Sequence, residues 1–213
     1  MSVRMIGGFH HVFVPGDEDR PVVLALHGTG GNELDLVELA RAAAPGAGIL
    51  SPRGNVLENG MNRFFRRLEE GVFDLEDLLA RTEELAEFIA GAKEAYRVAN
   101  QKLIALGFSN GANIAASLLL QRPDSLNGAV LLRAMTPFMP RENPVLAGKR
   151  ILMLSGAADP IVPAENAQKL AQLLTESGAQ IVHQILPASH QMTQEDLTVT
   201  AEWFRAYIKG EEE

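Results

Sequence analysis

The sequence predicts an α/β protein: an open, mostly parallel sheet of about seven strands with helices on both faces. Three observations carry that expectation. Short continuous apolar runs recur at 22–26, 103–106, 129–132 and 151–154, the pattern of strands buried on both faces. Amphipathic helical stretches alternate with them, bounded by capping residues, Pro or Gly. No linker, internal repeat or low-complexity segment divides the 213 residues, so one domain is expected over 1–213.

The elements follow in order. Residues 9–14 form a β-rich run ended by Pro15-Gly16-Asp17. His10 and His11 would face opposite sides of that strand, so they read as surface and edge histidines rather than a metal pair. The run at 22–26 leads into His27-Gly28-Thr29-Gly30-Gly31-Asn32, where His27 is read as shaping the Gly-rich loop. An amphipathic helix over 33–44 stops at Pro45-Gly46. Ile49-Leu50 is a short strand ending at Ser51-Pro52-Arg53-Gly54. Residues 55–71 read as an irregular loop centred on Asn62-Arg63-Phe64-Phe65-Arg66-Arg67, and a loop of that length in a compact domain is usually functional.

Asp74 then caps a long helix whose apolar stripe runs through Leu75, Leu78, Leu79, Thr82, Leu85, Ala86 and Ile89. The run at 103–106 precedes Gly107-Phe108-Ser109-Asn110-Gly111, and a helix follows over 112–121. The strand at 129–132 opens into Arg133-Ala134-Met135-Thr136-Pro137, and the strand at 151–154 opens into a loop from Ser155 to Pro163. A helix over 164–177 ends with Gly178 in the C′ position. The last strand, 181–186, with His183 in its middle as a packing or surface residue, leads to Pro187-Ala188-Ser189-His190-Gln191. The closing helix begins near Thr193, with Asp196 three residues on as in a capping box, and its apolar face is Leu197, Ala201, Phe204 and Ile208. The acidic tail at 211–213 is expected to fray.

Composition excludes several functions. A net charge of −8 argues against a nucleic-acid partner held by phosphate neutralisation. With no cysteine there is no disulfide framework, thiolate zinc site or Cys nucleophile. No run approaches the ~18 apolar residues of a membrane span, and residues 1–8 lack a signal-length apolar stretch, so a cytoplasmic protein is expected.

The chemistry concentrates at strand ends, where parallel sheets bind their ligands. Four such loops carry Thr29, Ser109, Asp159 and His190. Ser109 stands between Gly107 and Gly111 at a strand-to-helix turn, the context of a G-x-S-x-G nucleophile elbow. A serine is a poor nucleophile unless a base lies within hydrogen-bond reach. His190 can take the serine proton and return it to the leaving group. Asp159 can hold that imidazole in one tautomer and stabilise the imidazolium. Glu165 is the one nearby acid that could replace Asp159. The main-chain N–H groups of Thr29 and Asn110 are the candidate oxyanion donors.

These residues resemble the α/β-hydrolase superfamily, and most closely its small carboxylesterase, lysophospholipase and acyl-protein thioesterase branch. The matching segments are Leu26-His27-Gly28-Thr29-Gly30-Gly31, Gly107-Phe108-Ser109-Asn110-Gly111, Gly156-Ala157-Ala158-Asp159-Pro160-Ile161-Val162-Pro163 and Ser189-His190, in the family's order. The resemblance implies a serine esterase or thioesterase without cofactor or metal, acting on a small-molecule ester, and a homodimer. The stretches Pro52-Arg53-Gly54 and Asn62 to Arg67 resemble bacterial members, one group of which is linked to quinone-related stress.

Larger hydrolases of this type insert a cap after the strand that follows the elbow helix. Residues 135–149 are too few for one, so an exposed, shallow pocket is expected. Its predicted walls are Phe64, Phe65, Met135, Phe138, Met139 and Ile161, with Arg63, Arg66 or Arg67 placed to meet an acidic substrate group. Short to medium acyl esters are the expected substrates. Thioesterase or lysophospholipase activity, or ligand binding without catalysis, are the alternatives.

Overall fold

The computed structural model describes residues 2–69 and 71–210; the acidic tail at 211–213 lies outside them. Chain order runs β1 (Arg4–Ile6), β2 (Phe9–Val14), β3 (Val22–Leu26), α1 (Val37–Ala43), β4 (Gly48–Pro52), β5 (Val56–Glu58), β6 (Met61–Arg63), β7 (Arg67–Glu69) and β8 (Val72–Phe73). It continues with α2 (Leu75–Ala95), β9 (Leu103–Phe108), α3 (Asn110–Gln121), β10 (Gly128–Leu132), β11 (Arg150–Gly156), α4 (Ala164–Glu176), β12 (Gln180–Leu186) and α5 (Gln194–Lys209).

The main sheet has eight strands, in the order β1-β2-β4-β3-β9-β10-β11-β12. The pairs β1/β2 and β2/β4 are antiparallel and the rest are parallel. This is the α/β class expected, with one strand more than the expected seven or so. The extra strand is β1, which turns back onto β2 through Gly7-Gly8, a two-residue hairpin signal that the sequence reading passed over.

Strands buried on both faces explain where the core sits. In β3, Val22, Leu24 and Leu26 join one apolar cluster while Val23 and Ala25 join the other, as the two-residue side-chain period of a strand requires. The same alternation holds in β9, where Leu103 and Ala105 face one way and Ile104 and Leu106 the other. One cluster packs the sheet against α2, α3 and α4, and the other against α1 and α5.

Three local expectations change. Helix α1 starts at Val37, not at residue 33, because the Asn32 side chain accepts the Leu34 N–H at 2.9 Å and holds the chain in a turn. The segment 55–71 is not irregular; it folds into two short hairpins, β5–β6 and β7–β8. In α5 the predicted residues Leu197, Ala201 and Phe204 pack on the sheet, but the face is wider than the stripe predicted, with Asp196, Thr200, Trp203 and Ala206 buried as well. The capping predictions at Asp74, Gly178 and Thr193 hold. Asp74 accepts the Asp77 N–H, Gly178 has φ +93°, and Thr193 and Asp196 form a reciprocal capping box.

The sheet order reverses around β3, which has β4 on one side and β9 on the other. That is the switch point where a crevice opens beyond the carboxyl ends of the strands. The loops leaving β3 and β9 carry Thr29 and Ser109 to its rim.

Candidate active site

Ser109 is the residue between β9 and α3, at φ +51° and ψ −112°. A non-glycine residue there costs on the order of 1–3 kcal/mol, and surrounding structure must hold it. That structure is visible. The Ser109 N–H donates to Leu132 O at 2.9 Å, and Asn113 N–H donates to Ser109 O at 2.9 Å. A Cβ on Gly111 would come within 2.0 Å of Leu26 O, so only glycine lets α3 begin this close to β3.

The three predicted catalytic side chains meet at this point. Ser109 Oγ lies 2.9 Å from His190 Nε2, which leaves the imidazole as acceptor and the hydroxyl as donor. His190 Nδ1 lies 2.9 Å from Asp159 Oδ2, where the ring N–H donates to the carboxylate. Asp159 is fixed in turn, because its Oδ1 accepts the N–H groups of Ile161 at 2.8 Å and Val162 at 3.0 Å. Its side chain is 1% exposed, against 13% for His190. Glu165 stays on the exposed first turn of α4 and does not take this place. His183 pairs elsewhere, with Ser155 Oγ at 2.9 Å.

The Gly-rich loop is held by its histidine. His27 is 1% exposed; its Nδ1–H donates to Gly28 O at 2.6 Å and its Nε2 accepts the Gly54 N–H at 3.0 Å. Burial lowers its pKa below the ordinary histidine value, in keeping with a neutral ring. The hairpin β5–β6 grips the same loop. Gly30 N–H donates to Asn62 O at 2.8 Å, Asn62 Nδ2 donates to Gly31 O at 2.9 Å, and Arg63 Nη1 donates to Thr29 Oγ1 at 2.6 Å. The Phe64 N–H donates to Asn110 Oδ1 at 2.7 Å, tying that hairpin to the start of α3. Among the described residues, nothing accepts a hydrogen bond from the main-chain N–H of Thr29 or Asn110.

A cleft of about 300 Å³ opens over Ser109, lined in part by Thr29, Arg63, Asn110, Met135, Ile161 and His190. A larger groove of about 450 Å³, between α2 and the end of α3, contains none of the converging side chains. Two predicted walls are not walls: Phe64 and Phe65 are 2% and 0% exposed and belong to the core, because the chain between β6 and β7 turns inward rather than looping over the cleft. Phe138 packs on the same core and Met139 is 55% exposed at the surface, and neither lines the cleft. Met61 and Phe73, from the two hairpins, line it instead. Arg66 points away and pairs with Asp74 at 3.1 Å.

The sequence reading missed Arg133, the residue after β10. It sits at φ +57° with its side chain 0% exposed. Its guanidinium donates to both carboxylate oxygens of Asp196, at 2.7 and 2.9 Å. It also donates to Leu154 O, Ser189 O and Gln191 O, at 3.2, 3.0 and 3.2 Å. The carbonyls on either side of His190 are thus held by one buried cation. An arginine ending a buried strand, with an acid in a distant capping box, was the available signal.

A sequence model described as phospholipase/carboxylesterase matches residues 8–208. The putative hydrolase MhqD of Bacillus subtilis is 45% identical over 198 residues, covering 93% of this chain and 98% of that protein. The crystal structure of the Bacillus cereus carboxylesterase superposes with a TM-score of 0.90 at 46% identity, over 92% of this chain and 93% of that one. A carboxylesterase from Mesorhizobium loti superposes at 0.86 with 30% identity, over 92% and 94% of the two chains.

Proposed function

This chain belongs to the phospholipase/carboxylesterase family of α/β-hydrolases, and from that premise we propose that it is a serine esterase that cleaves esters of short to medium acyl chains through an acyl-enzyme on Ser109. The observation that carries the reading is the pair of 2.9 Å contacts joining Ser109, His190 and Asp159 at a strained elbow.

Each group has one task. His190 takes the hydroxyl proton as Ser109 Oγ bonds to the ester carbonyl carbon. Asp159 keeps the ring oriented and stabilises its charged form. The tetrahedral oxyanion is received by the N–H groups of Thr29 and Asn110, which no described residue occupies, and by the positive end of α3. Collapse expels the alcohol with the proton from His190. Water then attacks the acyl-enzyme by the same route, giving the acid and the free serine. A cleft of about 300 Å³ favours small acyl groups over long lipid chains.

The test pairs a fluorophosphonate probe with a panel of p-nitrophenyl esters and matched thioesters. The probe should label Ser109. The Ser109→Ala variant should lose labelling and at least about 10⁴-fold in kcat. A variant that hydrolyses acetate and butyrate esters at the wild-type rate sinks the proposal. Turnover confined to thioesters or long-chain lipids would move the substrate assignment within the family.

A further inference from the structure

We propose that the cleft selects esters carrying a second, free carboxylate, held by the guanidinium groups of Arg67 and Arg63. This rests on the esterase reading for the reaction, though not for the binding. Among the described residues, the charged side chains that line the cleft, apart from His190, are Arg63, Arg67 and Arg133; no Asp or Glu lines it. Arg133 is matched charge for charge by buried Asp196. Behind the other two stands one acid: Glu58 lies 2.9 Å from Arg67 Nε and 3.5 Å from Arg63 Nε. Two guanidiniums share the carboxylate of Glu58, while Asp159 beneath the cleft has both oxygens taken, by His190 and by the Ile161 and Val162 N–H groups, so no acid faces Arg63 and Arg67 from the cleft lining.

The placement favours recognition rather than a solvated surface. The Arg63 side chain is 4% exposed, with Nε donating to Phe65 O at 3.1 Å and Nη1 to Thr29 Oγ1 at 2.6 Å. Its position beside the candidate oxyanion loop is therefore fixed before any ligand arrives. Burial, reinforced by the nearby Arg67 charge, lowers its pKa, so an incoming anion relieves an existing cost. A planar guanidinium matches a carboxylate through two parallel hydrogen bonds. The same site would disfavour a long neutral chain.

Binding and turnover are tested separately. Calorimetry compares succinate with succinamide on wild type, Ser109→Ala and Arg67→Gln. Kinetics compares two ester pairs that differ only in carboxylate against amide: monomethyl succinate with methyl succinamate, and acetoxyacetate with acetoxyacetamide. The first pair places the charge on the acyl side and the second on the alcohol side. In at least one pair the charged ester should have a kcat/KM about tenfold or more above its amide. That ratio should fall toward one in Arg67→Gln and at high salt, and should rise in Glu58→Gln. Ratios of one or below in both pairs, while the amides are hydrolysed, overturn the proposal and leave the esterase reading standing. Arg67-dependent succinate binding by a protein that cleaves no ester has the reverse meaning: the anion subsite stands and the esterase reading falls. Succinate bound no better than succinamide, with no ester cleaved, sinks both.

Discussion

Arg133 shows what a single residue does in this molecule that its sequence position does not announce. At φ +57° its backbone would suit glycine, yet an arginine stands there with every guanidinium nitrogen engaged. Replacing it by methionine would leave Asp196 buried without its partner, a loss of about 3–5 kcal/mol. The more informative change is Arg133→Lys, which keeps the charge and loses the fork that reaches Ser189 O and Gln191 O together. We expect its folded fraction to show kcat lowered by about tenfold or more with KM little changed, since a small displacement of a reacting group is costly. Fluorophosphonate labelling of Ser109 at the wild-type rate in that variant would reduce Arg133 to a structural role. Ser109 and Asp159 were legible because each follows a buried strand, and His190 because it follows the last strand, each carrying a reactive group in an order with few alternatives. Arg133 was not, because its partners lie 21 to 63 residues away and, apart from the Asp196 carboxylate, are main-chain carbonyls that no side-chain pattern marks.

At the scale of elements, long periodic stretches were readable and short ones were not. Helix α2 has 21 residues, enough for its 3.6-residue period to declare itself, and strand β9 has six, enough to read as a continuous apolar run buried on both faces. Strands β5 and β6 have three residues each, too few for alternation to emerge. The turn between them could still have been read: Asn59 and Gly60, at φ +52° and +78°, form the Asn-Gly pair of a two-residue hairpin. This hairpin matters because Asn62 and Arg63 at its far end hold Gly30, Gly31 and Thr29. Substituting Gly60 by valine puts a β-branched residue at positive φ, where it is strained. The expected result is a several-fold fall in kcat/KM with a stability loss of about 1–3 kcal/mol, the cost of one strained residue. Ester kinetics and urea unfolding on the same preparation check it. Unchanged kinetics in a destabilised variant would show that the hairpin and the Gly-rich loop are uncoupled.

The whole molecule combines a charge of −8 with two buried histidines, and its stability should follow their protonation. His11 is 0% exposed between Phe9 O, 3.1 Å from Nδ1, and the Tyr96 hydroxyl, 2.6 Å from Nε2; His27 is 1% exposed and accepts the Gly54 N–H. Burial lowers both pKa values below the ordinary 6.5, so the unfolded chain binds these protons more readily than the folded one. Their stabilisation is complete above pH 6.5 and is lost as pH falls through the lowered folded values. Glu33 adds a second, more acid stage. Its hydrogen bonds to Arg53, at 2.5 and 2.6 Å, hold its pKa below the ordinary 4.5, so its contribution is lost only below that value. Urea unfolding should therefore give a lower free energy at pH 5.5 than at pH 7.5, with a further fall below pH 4.5. Protonating His27 also removes the acceptor that holds Gly54, so the Thr29 loop should loosen before the sheet does. Amide exchange in that loop should accelerate between pH 7.5 and 5.5 beyond the intrinsic change, while β9 and β10 stay protected. A flat unfolding free energy across that interval would mean that both imidazoles enter the native state as easily charged as neutral.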